Sequence, residues 1–80
     1  MKSPGAQLTL FGRSGCHLCE ELADQLRALG VPFRWTDIST DVELEIRYGL
    51  EIPVLVRGGQ VLAKAPIDLA ALMGRLGKTS

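Results

Sequence analysis

Cys16-His17-Leu18-Cys19 holds the two cysteines of this 80-residue chain. Two cysteines three apart at the start of a helix can close a disulfide, and the same spacing also occurs in thiolate metal sites. The motif follows the apolar run Leu8-Thr9-Leu10-Phe11 across the short turn Gly12-Arg13-Ser14-Gly15, and it opens a helical pattern. The positive end of a helix favours an anion, so the first cysteine is the one held as thiolate. The stretch therefore reads as a redox motif: Cys16 attacks a substrate disulfide, and Cys19, shielded inside the first turn, resolves the mixed disulfide. Arg13 and a protonated His17 would lower the Cys16 pKa, whereas Glu20 and Glu21, one turn on, would raise it. His17 is the only histidine, and its place in the motif favours a redox influence over a packing role.

The elements that must position this motif alternate along the chain. Gln7 to Phe11 has the character of a short buried strand ended by Gly12. A helix follows, with Leu18, Leu22, Leu26 and Leu29 on its packed face, Glu20, Glu21, Asp24 and Arg27 outside it, and Gly30 as its C-terminal cap. Val31 to Asp37 reads as a second strand, with Phe33 and Trp35 pointing to one side. Asp37 is expected to end that strand and support the Ser39-Thr40 cap, in preference to relaying protons at the cysteines. Thr40-Asp41-Val42-Glu43 fits a capping box for a helix that runs to about Tyr48 and stops at Gly49, with Leu44 and Tyr48 on its inner face. Gly58-Gly59 joins Val54–Arg57 to Gln60–Lys64 as a hairpin. Pro66 is suited to the first position of a last helix, with a stripe of Leu69, Leu72, Met73 and Leu76 and a stop at Gly77. Residues 1–6 and 78–80 are expected to be a loose lead-in and a frayed tail. The order β-α-β-α-β-β-α predicts an α/β protein in which a right-handed parallel unit receives an antiparallel hairpin and helices cover both faces of the sheet.

Composition narrows the function. Nine basic residues balance nine acidic ones, which argues against a groove that tracks nucleic-acid phosphates. No run approaches the ~20 apolar residues that span a bilayer, and the N-terminus does not read as a signal peptide. A monomer of one domain in the cytoplasm is expected, where thiols stay reduced unless they do redox work. A disulfide across three residues closes too short a loop to serve mainly as a staple.

Leu8 to Cys19, together with Tyr48-Gly49-Leu50-Glu51-Ile52-Pro53-Val54-Leu55, the hairpin and the last helix, resembles the thioredoxin superfamily, and more closely its small bacterial glutaredoxin-like proteins. The resemblance covers nearly the whole chain. It implies a thioredoxin-like fold, a four-stranded mixed sheet flanked by helices. It also implies that Pro53 is cis and faces the active cysteine, and that the main chain of Ile52 holds an extended peptide or glutathione. The function implied is a small thiol-disulfide oxidoreductase with no bound cofactor. Its partner would be a disulfide-bearing protein, or glutathione as reductant or substrate. Two departures bear on glutathione. Lys64-Ala65-Pro66-Ile67-Asp68 lacks the glycine pair that usually receives the glutamyl carboxylate, and Pro66 removes a backbone donor there. Glu51-Ile52 stands where Thr-Val is usual, and an acidic Glu51 would repel carboxylates. Two other functions fit the residues: a zinc or iron-sulfur site completed by the cysteines of a second chain, with His17 poorly placed to chelate, and a non-enzymatic binding module that keeps the fold without turnover.

Overall fold

The computed structural model describes residues 7–77. The expected lead-in and tail lie outside the described residues. The elements are β1 (Leu8–Gly12), α1 (His17–Ala28), β2 (Arg34–Asp37), a 3-10 turn (Ile38–Thr40), α2 (Val42–Tyr48), β3 (Val54–Arg57), β4 (Gln60–Lys64) and α3 (Leu69–Arg75). Apart from the 3-10 turn, this is the order read from the sequence. The strands form one sheet in the order β2-β1-β3-β4. β1 runs parallel to β2 through the α1 crossover, with Leu10 beside Trp35. It runs antiparallel to β3, with Leu10 beside Leu55, and β3 pairs antiparallel with β4.

The period of two along β1 decides what packs where. Leu8 and Leu10 join Leu55 and Leu62 of the hairpin, Leu22, Ala23 and Leu26 of α1, and Leu72 of α3 in one buried cluster. Each fully buried leucine there contributes about 1.5–3 kcal/mol over an exposed one. Phe11 points the other way and stacks on Tyr48 of α2, with ring centroids 4.8 Å apart. Helices α1 and α3 thus cover one face and α2 the other.

Several details differ from the sequence reading. The buried face of α1 comprises Cys19, Leu22, Ala23 and Leu26. It is rotated toward Cys19 and Ala23, which leaves Leu18 and Leu29 at its edge, 58% and 46% exposed. β2 begins at Arg34 because the preceding residues are still closing α1. Gly30, at φ 73°, donates its N–H to the Arg27 carbonyl, and Val31 donates to the Leu26 carbonyl, a pairing that satisfies two helix-end acceptors. Pro32 then offers no N–H to a sheet. Thr40 does not cap α2. Its hydroxyl donates to the Asp37 carbonyl, within the 3-10 turn that buries Ile38. Asp41 caps instead, its carboxylate accepting from the N–H groups of Glu43 and Leu44. Pro66 is not in α3: Asp68 caps that helix by accepting from Ala71 N–H, and Pro66 lies two residues earlier, after a cis bond from Ala65. Among the described residues no helix is long and apolar enough to cross a membrane.

Candidate redox site

The site is built where β1 hands over to α1. The Cys16 N–H bonds to the Arg13 carbonyl at 3.0 Å and closes the turn. Cys16 is the N-cap of α1 in extended conformation, and its sulfur accepts the Cys19 N–H at 3.2 Å. Helix N-termini leave such donors unsatisfied, so here the capping group is a sulfur. Cys16 and Cys19 form a disulfide with Cα atoms 5.2 Å apart. Cys19 is wholly buried and Cys16 only half-buried. That asymmetry fits the division into attacking and resolving sulfurs.

Gly12 lies against Cys19. A Cβ there would come within 2.7 Å of Trp35 Cη2 and 3.0 Å of the Cys19 Cβ and Sγ. The sequence reading took Gly12 as the end of a strand and missed this close approach. No local signal shows it, because Trp35 arrives from the neighbouring strand.

Several polar groups around the motif are hydrogen-bonded. Arg13 donates two hydrogen bonds to the Glu45 carboxylate of α2, the longer at 3.0 Å. The hydrogen bond to Glu45 is the main reason its pKa is raised, with the charges of Glu45 and Asp37 adding to it and partial burial opposing. The Arg13 charge is thus compensated from α2. Glu20 accepts the Gly15 N–H at 3.2 Å. Asp37 accepts from Ser39 N–H and hydroxyl at 2.9 and 2.7 Å, and from the Ser14 hydroxyl at 3.1 Å. These bonds, the Ser39 hydroxyl first, pull its pKa to about 2 against some desolvation. Asp37 therefore ends the strand and supports Ser39 as the sequence suggests, and it also holds Ser14 of the turn before Cys16. His17 is the first residue of α1; it is exposed and makes no hydrogen bond or ion pair among the described residues.

Residues 7–77 match the model of a family described as a glutaredoxin-like domain (DUF836). The chain belongs to this family. Similar solved structures include two that share its fold. One is target protein XcR50 from X. campestris, with 35% identity over 91% of this chain and 99% of that one and a TM-score of 0.77. The other is the solution structure of protein Ne2328 from Nitrosomonas europaea, with 26% identity over 94% and 95% and a TM-score of 0.75. No functionally curated protein matches the chain. The mixed sheet and its three helices are thioredoxin-like, and a disulfide-forming cysteine pair at the head of α1 suits a glutaredoxin-like domain to redox chemistry.

In the glutaredoxin-like domain Ile52 is half-buried and Pro53 buried, the bond between them is cis, and Pro53 lines a groove that it shares with Leu18 of the motif. The Glu51 carboxylate pairs with Lys64 at 3.1 Å, an ion pair on the surface that the sequence does not reveal. The Glu51 carbonyl also accepts the Ala65 N–H at 3.2 Å, tying the segment before Pro53 to the end of β4. Among the described residues no group of three or more His, Cys, Asp or Glu side chains is placed to hold a metal ion.

Proposed function

We propose that this glutaredoxin-like domain is a small thiol-disulfide oxidoreductase of the cytoplasm, acting as a monomer. The carrying observation is that the half-exposed Cys16 sulfur caps α1 and accepts the Cys19 N–H, while its partner sulfur is buried. In the reduced protein the same N–H and the helix end stabilise a Cys16 thiolate. That thiolate attacks one sulfur of a substrate disulfide. The substrate S–S bond breaks, and one substrate cysteine leaves as thiolate. Cys19 then gives up its proton and attacks the Cys16 sulfur. The Cys16–Cys19 bond forms, and the second substrate thiolate departs. Two electrons pass to the substrate, and its two thiolates take up protons at neutral pH. A low-molecular-weight thiol such as glutathione, two equivalents per turnover and itself oxidised to a disulfide, would return the electrons. Ile52, through its main chain, Pro53, Arg13 and His17 are proposed to hold or bias the substrate.

Equilibration across glutathione buffers of graded potential, followed by acid quench, alkylation and intact mass, tests this reading. One two-electron transition is expected in the native protein and none in Cys16→Ser, and Cys19→Ser should accumulate a mixed disulfide. Thiols that stay reduced across the whole series would refute it.

A further inference from the structure

A groove of about 300 Å³ runs beside the disulfide motif, between α1 and the segment that leads into α3. Its walls include Leu18 and Leu22 on one side and Pro66, Ile67 and Leu69 on the other, with Pro53 between. Leu18 lies inside the motif, yet it is more than half exposed. An exposed leucine next to a reactive sulfur is apolar surface that a bound substrate can remove from water.

The charges narrow the occupant. Two cations nearby in sequence, Arg13 in the turn before Cys16 and Lys64 at the end of β4 next to the lining residue Ala65, are held by Glu45 and Glu51. Pro66 has no N–H to offer. Glu21 lines the groove and makes no ion pair among the described residues. The groove thus presents an apolar wall with one uncompensated carboxylate, and these two cations are already committed to other carboxylates. We propose that it receives an apolar side chain next to the cysteine of a polypeptide disulfide, with a basic residue of that polypeptide against Glu21. This rests on the oxidoreductase reading and names its substrate class. A small thiol with two carboxylates is disfavoured as the oxidised substrate.

Fully reduced protein would be mixed with symmetric disulfides of acetylated pentapeptides, and its oxidation followed by acid quench, alkylation and mass. One peptide has leucines flanking the cysteine and a terminal lysine; a second has serines in place of the leucines; a third has glutamate in place of the lysine; oxidised glutathione is the fourth substrate. The leucine–lysine peptide is expected to react about tenfold faster than the serine peptide and oxidised glutathione, the size of effect that burying a leucine side chain supports. It should exceed the glutamate peptide by about threefold at low salt, a surface-charge effect that fades with added salt and in Glu21→Gln. Leu18→Ser should narrow the leucine advantage. Equal rates across the panel would overturn this inference alone. Failure of every disulfide to oxidise the cysteines would overturn the oxidoreductase reading and this inference with it.

Discussion

A methyl group at Gly12 would have to displace the Trp35 ring or the Cys19 side chain, since its Cβ would lie 2.7 Å from one and 3.0 Å from the other. Both neighbours are packed, so Gly12→Ala is expected to cost about 1–3 kcal/mol, as overpacking does elsewhere. A lower urea midpoint at unchanged slope would show this, and an unchanged midpoint would mean the neighbours yield freely. Asp37 supplies a pH signature. Its pKa of about 2 is depressed below the ordinary carboxylate value, so its contribution is complete above pH ~4 and disappears as the pH falls through about 2. Asp37→Asn should flatten the loss of stability between those limits, which urea unfolding at stepped pH would reveal. The cysteine pair was legible in the sequence because its spacing is local. Arg13 was not legible in the same way: its partner Glu45 lies 32 residues on, and only the fold shows that the cation faces a carboxylate.

Helix α2 has no fully buried residue. The Phe11–Tyr48 stack holds it to the sheet, and the Arg13–Glu45 pair holds it to the turn before Cys16. Removing either member of a partly exposed ion pair should speed amide hydrogen exchange along α2 at low ionic strength. Arg13→Gln and Glu45→Gln together should do little more than either alone, and molar salt should erase the difference from the native protein. Additive effects would mean that the two side chains act separately. At this scale the periodicity found every helix and strand, but it placed several ends wrongly. Asp41 outcompeted Thr40 as a cap because the Asp37 carbonyl had already engaged the Thr40 hydroxyl. Leu18 and Leu29 were assigned to the packed face of α1 because leucine spacing alone does not show which edge of the stripe the sheet covers.

Across the molecule, the cluster that unites the sheet with α1 and α3 is assembled from leucines, Ala23 and Val31, and the disulfide bond is not part of it. The cysteines close a ring of only a few residues, so the bond removes less chain entropy than a long-loop staple. The reduced protein is therefore expected to keep its far-ultraviolet circular dichroism and a cooperative urea transition. Collapse of the sheet signal on reduction would mark the bond as structural and argue against redox cycling. The topology was legible because it follows from element order and a two-glycine hairpin. The charge balance around the site was not, because Glu51–Lys64 and Arg13–Glu45 each join segments separated along the chain.

The glycine at the end of β1 leaves room for the only tryptophan in the sequence to sit close to the buried sulfur. A disulfide accepts an electron from an excited indole and quenches it at short range, whereas a thiol does so poorly. The protein thus carries its own optical gauge of its oxidation state. Emission from Trp35 should rise when the bond opens and fall when it closes, in step with the thiol count, and Cys19→Ser should lose the response.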